Sequence, residues 1–316
     1  MKKILVIIAV IASLAISIVA LTACNPINPG NYNLVAPDGA PIAALADMWD
    51  EDFGDADITY AITAETNLNA EFAKGTEFIV APINLGANMH NAAKADATKY
   101  DYKLMNVTSW GVLYIVSNES GYEVFDDNSE EFLDQFDGKT VETIGRQAIP
   151  GKTVEYLFGD AGASVSLLAS DATTLQQKIM SGTSVTAVLG EPAITALKAN
   201  GATFDVLGSV SDVYNEVTGD DFPMAGLFVR ADVAEENSGL VSAINDRIAT
   251  SVKAFNDDPE TVGNKANEAG SSLKGAVLKN AAPKMNVKFK NSADSKSAVT
   301  KLLTNIGVAV DDSLFI

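Results

Sequence analysis

The sequence has few of the side chains on which most enzymes and metalloproteins depend. Among its 316 residues there is one cysteine, Cys24, and one histidine, His90. A single cysteine allows no internal disulfide, so stability must come from the hydrophobic core. A single histidine excludes a zinc site built from several histidines and makes any Ser-His-Asp triad depend on His90. His90 itself follows "NLGANM" near a helix start and is interpreted as a surface or capping residue. We expect no catalytic residue, no metal site and no cofactor.

Basic residues are also scarce. The chain carries 22 Lys and Arg residues against 41 Asp and Glu residues, which gives a formal net charge of −19. Proteins that bind nucleic acid need basic patches to neutralise its phosphates. The charge balance therefore predicts that nucleic acid is not a partner.

The one long hydrophobic run lies at the N-terminus, where Lys2 and Lys3 precede an almost unbroken apolar stretch over residues 4–21. A basic start, an apolar core and small residues at the cut are typical of an export signal. The sequence "LTACN" (residues 21–25) resembles a bacterial lipobox, which implies a signal peptide over 1–23 and lipidation of Cys24. The run is also near the length of a transmembrane anchor. Both interpretations place the rest of the chain outside the cytoplasm at a membrane, and the lipobox implies a lipid anchor at the outer face of the bacterial cytoplasmic membrane.

Residues 24–30 are rich in Pro, Gly and Asn and are interpreted as a short tether. The stretch of nearly 290 residues that follows is too long for one small core, which favours two lobes. Strand-like runs alternate with helical patterns from residue 32, and the same rhythm restarts near residue 137. This alternation predicts parallel sheets covered by helices, with a mainly helical C-terminal region.

The two halves of the chain resemble each other. Thr66, Leu68, Gly75 and Thr76 recur as Thr173, Leu175, Gly182 and Thr183, at a constant offset of 107 residues. Together with the shared order of strands and helices, these identities favour two similar α/β lobes.

The stretch "TIGRQAIPGKT" (residues 143–153) is similar to a phosphate-binding loop. That motif requires four residues between its first glycine and the Gly-Lys-Thr, whereas five separate Gly145 from Gly151. Pro150 also removes an amide donor where the loop would need one. An ATP site is therefore disfavoured.

The order and spacing of five segments (34–49, 70–88, 108–117, 136–151 and 175–193) resembles the type II periplasmic-binding-protein family, the extracytoplasmic receptors of ABC importers. The resemblance is strongest to the nitrate, sulfonate, taurine and thiamine-precursor branch, and it covers residues 31–230. It implies an α/β fold with two Rossmann-like lobes, a hinge and an interlobe cleft. Lobe 1 would comprise residues 31–113 plus 227–316, and lobe 2 would comprise residues 114–226. The two crossings would lie near Leu113–Val116 and near Pro223–Leu227.

The resemblance also implies a ligand site in the cleft, at the carboxyl ends of the strands, where helix N-termini are exposed. The residues expected there are Asp38, Gly39, Ala40, Asn84, Leu85, Ser109, Trp110, Tyr114, Arg146, Gln147, Pro150 and Glu191. Trp110 and Tyr114 would stack on a planar ligand. Asp38 and Glu191 would accept hydrogen bonds or pair with a cation, which suits a nitrogen-rich ligand, whereas Arg146 would suit an anion. The ligand's identity stays open.

The function that the resemblance implies is that of a lipid-anchored, monomeric, non-enzymatic binding protein. It would capture a small solute and deliver it to an ABC permease with its ATPase. A membrane-anchored sensor or adhesin on the same fold is the first alternative. An enzyme related to thiamine-pyrimidine synthases is the second, although only the fold connects the two.

Overall fold

The structure is a computed structural model that describes residues 26–49 and 51–316. The predicted signal peptide and Cys24 lie outside the described residues. The described chain forms two mixed β-sheets with helices packed on them, which confirms the predicted α/β fold class.

Eleven strands build the two sheets within the described residues. They are β1 (Gly30–Pro37), β2 (Ala56–Thr63), β3 (Phe78–Pro82), β4 (Tyr102–Ser109), β5 (Leu113–Ser117), β6 (Thr140–Ile144), β7 (Ser166–Ser170), β8 (Thr186–Gly190), β9 (Asp205–Ser209), β10 (Ala225–Arg230) and β11 (Val287–Asn291). The six-stranded sheet has the order β11-β4-β10-β3-β1-β2, and the five-stranded sheet has the order β7-β6-β8-β5-β9.

Thirteen α-helices connect or cover these strands in the described part of the chain. They are α1 (Ala40–Ala43), α2 (Leu68–Lys74), α3 (Ile83–Ala95), α4 (Ser129–Asp134), α5 (Ile149–Asp160), α6 (Ala172–Met180), α7 (Ala193–Ala199), α8 (Val210–Thr218), α9 (Ala231–Glu236), α10 (Ser238–Asp257), α11 (Pro259–Glu268), α12 (Gly275–Met285) and α13 (Ser292–Asn305). The region after β10 is mainly helical, as predicted, but it also contains the edge strand β11.

The prediction of parallel sheets is wrong for β5 in the five-stranded sheet and for two strands of the six-stranded sheet, β10 and the edge strand β11, which is antiparallel to β4. β1, β2 and β3 are parallel, as are β6, β7 and β8, and each trio has helices as connections. In contrast, β10 is antiparallel to both β3 and β4, and β5 is antiparallel to both β8 and β9. Each of these two strands enters its sheet directly from the other sheet. It therefore needs no crossover helix, which is what a parallel connection requires.

The two sheets share one topology. The order β2-β1-β3-β10-β4 matches the order β7-β6-β8-β5-β9, with the same relative directions. The sequence echo at residues 66–86 and 173–193 falls on equivalent elements, since α2 with β3 and α6 with β8 occupy the same places. The similarity of the two halves is therefore structural.

The long apolar stretch at residues 102–118 is divided between the sheets, because β4 ends at Ser109 and β5 begins at Leu113. The return passage lies between Thr218 and Ala225. The two passages touch each other, since the Met224 amide donates to the Ser109 carbonyl at 2.8 Å. The predicted lobe boundaries stay a prediction, and these strand bounds place Leu113 in the five-stranded sheet.

After β1 the chain forms one α-helical turn, α1, followed by a 3₁₀ turn at Ala46–Met48. Tertiary hydrogen bonds replace the helical ones in this apolar, buried segment. The Asp47 amide donates to the Ser251 hydroxyl at 3.2 Å, and the Arg247 guanidinium donates to the Asp47 carbonyl at 2.7 Å. The segment thus follows the surface of α10 and does not continue its own helix.

The predicted tether is partly docked. Asn28 and Asn237 exchange two hydrogen bonds of 3.0 Å, from the Asn28 amide to the Asn237 side chain and from that side chain back to the Asn28 carbonyl. Ile27 packs against the core, and β1 already begins at Gly30. The chain is therefore held from residue 27 onwards.

Candidate ligand-binding cleft

Two adjoining cavities lie between the sheets, at the carboxyl ends of the parallel strands. The inner cavity, of about 320 Å³, lies beside the two passages and is lined by Ser109, Leu113, Met224 and Ala225 among others. The outer cavity, of about 800 Å³, opens toward α3 and α6. Both cavities share the lining residues Glu65, Pro82, Ile144, Ala148, Pro150 and Ala172. Together they form the cleft, and each wall contributes loops from one sheet.

The loop after β1 places Asp38, Gly39 and Ala40 on the inner cavity. The Asp38 carboxylate accepts hydrogen bonds from the Ser271 hydroxyl at 2.5 Å, the Ser272 amide at 3.1 Å and the Gly39 amide at 2.8 Å. Burial works against ionisation of Asp38, but these hydrogen bonds outweigh it and lower its pKa. Asp38 is therefore a fixed anion that joins the loop after β1 to the turn before α12.

The corresponding loop of the five-stranded sheet contains the stretch that is similar to a phosphate-binding loop. Its glycines make a tight turn: Gly145 has a φ of +57°, and a Cβ on Gly151 would lie 2.4 Å from the Arg146 Cα. Gln147 lines the outer cavity and Pro150 lines both cavities.

Arg146 does not line the cleft, which differs from its expected position as a contact for an anion. Its guanidinium lies 3.7 Å from the Glu155 carboxylate, with the side chain 51% exposed, and it lines neither cavity. Glu155 is in the second turn of α5, and this pairing directs Arg146 away from the cleft.

Trp110 and Tyr114 are also placed away from the cleft. The Trp110 side chain is buried, and its indole N–H donates to the Lys288 carbonyl at 3.0 Å. The Tyr114 hydroxyl donates to the Lys284 carbonyl at 2.8 Å, and burial raises its pKa to about 12. Neither residue lines either cavity, so neither ring is placed to stack on a ligand there, contrary to expectation. Both side chains donate to main-chain carbonyls of the segment 284–288, and they therefore join that segment to the passage between the sheets.

Asn84 and Leu85, in the first turn of α3, line the outer cavity, and Ser109 lines the inner cavity. Asn84 is 7% exposed, and its side-chain oxygen has no hydrogen-bond partner among the described residues. A buried acceptor without a donor is costly. A ligand donor that reached Asn84 would remove this cost.

Glu191 directly follows β8 and lines the inner cavity, and its peptide bond to Pro192 is cis. Its side chain is fully buried, and its two oxygens accept from the amide and the hydroxyl of Thr195, each at 3.0 Å. The Lys284 ammonium lies 3.9 Å away. Glu191 therefore caps the start of α7 and already has partners within the chain.

Two acidic residues that the sequence pattern did not indicate also line the cleft, Glu65 after β2 and Asp171 after β7. Glu65 lines both cavities, and Asp171 lines the outer one. Asp171 caps α6, since it accepts from the Thr174 amide at 2.8 Å. Glu65 remains accessible to solvent yet lies between the two walls, where desolvation raises its pKa. The loop after β2, "TAETN", contains no glycine or proline, which are the usual signs of a turn at a strand end. The one signal that could have predicted Glu65 as a cleft residue is the equivalence of this loop to the loops after β1 and β3.

His90 is buried, so its interpretation as a surface or capping residue is wrong. Its ring nitrogens lie 2.6 Å from the Asp101 carboxylate and 3.0 Å from the Ser313 hydroxyl. This resembles a Ser-His-Asp triad, but the Ser313 hydroxyl also donates to Asp311, and none of these residues lines the cleft. The cluster ties the C-terminal segment to α3.

Within residues 26–49 and 51–316, no group of three or more His, Cys, Asp or Glu side chains is placed to hold a metal ion. In the same part of the chain, no helix has both the length and the apolar character needed to cross a membrane.

Neither protein-family models nor curated protein sequences match the chain. Solved structures do match it. An ABC transporter protein from Parabacteroides distasonis has a TM-score of 0.70 at 17% identity, over 90% of this chain and 98% of that one. The periplasmic aliphatic sulphonate binding protein SsuA from Escherichia coli has a TM-score of 0.68 at 11% identity, over 91% and 89%. The periplasmic nitrate-binding protein NrtA from Synechocystis has a TM-score of 0.64 at 12% identity, over 89% and 82%. The chain therefore has the type II periplasmic-binding-protein fold.

Proposed function

We propose that the protein is a solute-binding protein that captures a small molecule in its cleft and delivers it to an ABC permease. The observation that carries this proposal is the cleft itself, which lies between two topologically equivalent sheets and collects loops from the carboxyl ends of strands in both. Structures with this fold include proteins named as sulphonate-binding and nitrate-binding. The fold alone does not determine a function, and the cleft is what adds the argument for binding.

Two short passages join the sheets, at residues 110–112 and 219–224, and they lie side by side. Two adjacent chain crossings are suited to a hinge, because a few residues absorb the change in backbone angles while each sheet moves as a body. Lobe 1 at residues 31–113 plus 227–316 and lobe 2 at 114–226 are the proposed moving units. A solute that contacts both lobes stabilises the closed form, since only that form offers all the contacts.

Support for the proposed contacts comes from the lining of the two cavities, which includes nine of the twelve residues expected from the sequence. The proposed contact set is Asp38, Gly39, Ala40, Glu65, Asn84, Leu85, Ser109, Gln147, Pro150 and Glu191. The proposed anchor is a lipid on Cys24, at the outer face of the bacterial cytoplasmic membrane, and the protein is proposed to act as a monomer.

Full-length protein in mild detergent, screened by thermal shift, tests the binding function. The library holds amines, amino acids, nitrogen heterocycles, thiamine precursors, sulfonates and nitrate. A ligand at a hundred times its dissociation constant adds about 2.7 kcal/mol of stability. A hit should also reduce the radius of gyration in small-angle scattering. Absence of any hit, or steady chemical turnover of one, contradicts the proposal.

The anchor has its own test. Mass spectrometry of protein from bacterial membranes should show a diacylated N-terminal residue at Cys24, and Cys24→Ser should abolish both the lipid mass and membrane retention. An uncleaved, unmodified N-terminus would contradict lipidation and favour the transmembrane alternative.

A further inference from the structure

The charged side chains that line the cleft have one sign. Asp38, Glu65, Asp171 and Glu191 line one or both cavities, whereas neither cavity is lined by a Lys, Arg or His among the described residues. The whole chain carries a formal charge of −19. A charge distribution of this kind raises the local concentration of cations and repels anions. The negative net charge of the chain and the acidic side chains on the cavity walls therefore both disfavour an anionic solute.

Helix N-termini in such a cleft normally attract anions, because their free amides and dipoles favour negative charge. Here the chain's own carboxylates occupy two of them. Asp171 accepts from the Thr174 amide at the start of α6, and Glu191 accepts from the Thr195 amide at the start of α7. A sulfonate or nitrate would have to compete with these carboxylates and would lie next to their charges.

Two acceptors on the outer cavity remain free. Asn84 is 7% exposed, and its side-chain oxygen has no partner within the described chain. Glu65 makes no side-chain hydrogen bond or ion pair with any described residue, unlike Asp38, Asp171 and Glu191, and its pKa is raised by desolvation. Each of these oxygens is stabilised by a hydrogen-bond donor, and Glu65 is stabilised further if the donor is charged.

The uncharged residues that line the two cavities indicate which kinds of cation could bind there. No Phe, Tyr or Trp among the described residues lines either cavity, so a quaternary ammonium or a flat heterocycle would find no ring to contact. The described residues also hold no cluster of metal ligands. Apolar side chains such as Pro82, Leu85, Ile144 and Pro150 are suited to an aliphatic group.

We propose that the cleft binds a small aliphatic cation with N–H donors, a primary ammonium or a guanidinium, with Glu65 as its counter-ion and the Asn84 side-chain oxygen as a second acceptor. This inference rests on the proposed binding function and names the class of its ligand. Glu65 contributes both charge and hydrogen bonding from the wall of the six-stranded sheet. The apolar lining contacts the aliphatic part.

Calorimetric titration of the full-length protein with four probes of matched chain length, together with nitrate, tests the inference. The probes are butylammonium, butylguanidinium, butyltrimethylammonium and butanesulfonate. We expect the first two to bind, the trimethyl probe to bind at least about tenfold more weakly because it has no N–H donor, and the two anions not to bind. Glu65→Gln should weaken binding of the first two by about tenfold or more. Glu235→Gln, which removes an exposed carboxylate that lines neither cavity, should leave it unchanged.

The outcomes separate this inference from the proposed function. Tighter binding of butanesulfonate or nitrate than of butylammonium overturns the inference and leaves a binding protein for anions. Cation binding that survives Glu65→Gln in a variant with an unchanged circular dichroism spectrum also overturns it. If neither N–H cation binds while another solute of the broad library does, the ligand class is wrong and the binding function stands. If no solute binds at all, both are wrong.

Discussion

The hydroxyl of Tyr114, in the five-stranded sheet, donates a 2.8 Å hydrogen bond to the main-chain carbonyl of Lys284, in the helix α12 that packs against α11 and leads into β11 of the six-stranded sheet. Glu191 is close to the same helix, since its carboxylate lies 3.9 Å from the Lys284 ammonium. These contacts cross between the two proposed lobes on one side of the cleft. They therefore hold the walls at their present separation.

Tyr114→Phe removes the first of these contacts. We expect a loss of about 0.5–1.5 kcal/mol in the free energy of unfolding and a larger radius of gyration of the ligand-free protein in small-angle scattering. Tyr122→Phe is the matched control, because the Tyr122 hydroxyl accepts from Thr186 at 3.2 Å within the five-stranded half. It should cost similar stability without expansion. Equal radii for both variants would contradict the role of Tyr114 between lobes.

Glu65→Gln should stabilise the ligand-free protein at neutral pH. Desolvation raises the pKa of Glu65, so the folded state holds its proton more tightly than the unfolded chain does. Stability is then lost as pH rises from the ordinary glutamate pKa through the raised value. The variant lacks this loss, so its Tm should exceed that of the wild type at pH 7, and the two should converge at acidic pH.

Thermal unfolding across a pH series measures the effect, with Glu235→Gln as the control that leaves the Tm unchanged at every pH. A variant that melts below the wild type at pH 7 would show that the Glu65 carboxylate is stabilising in the absence of ligand. A difference that persisted below the ordinary glutamate pKa would point to packing as its cause.

Gly86→Ala should destabilise the protein by about 1–3 kcal/mol, although alanine is the better helix former. A Cβ at position 86 would lie 2.1 Å from the ring of Phe228, which is fully buried and would have to shift. Gly159→Ala provides the contrast, because a Cβ at this helical position would meet nothing within 4 Å. That change should stabilise by about 0.4–1 kcal/mol. Denaturant unfolding of both variants measures the difference, and equal effects would contradict the close contact.

Trp110→Ala should cost about 3–5 kcal/mol of stability, as expected for a large side chain removed from a core. The indole is buried and lies under the Lys290 ammonium, which is 4.5 Å from the ring centroid. Trp49→Ala should cost less, since Trp49 is partly exposed. Urea unfolding gives both values. If Trp110→Ala left the stability unchanged but abolished ligand binding, Trp110 would be a ligand contact in the cleft and not a core residue.

The cleft loops were predictable to the extent that each strand end could be found from apolar runs and turn residues. Asp38 and Glu191 follow β1 and β8 directly, and both line the inner cavity. Side-chain direction was less accessible. Arg146 belongs to a cleft loop, but its guanidinium pairs with Glu155 in the second turn of α5. Pairing of this kind depends on rotamers and neighbours that a linear pattern does not contain.

By itself the sequence determined the alternation of strands and helices, the equivalence of the two halves and the acidic character of the chain. These follow from local periodicity, from repeated residues and from composition. Only the tertiary structure decided that β5 and β10 run antiparallel, that Trp110 and Tyr114 hold the passage between the sheets, and that Glu65 lies between both walls. Each of these depends on which segments meet in space, because burial and hydrogen-bond partners are set by residues distant in the chain.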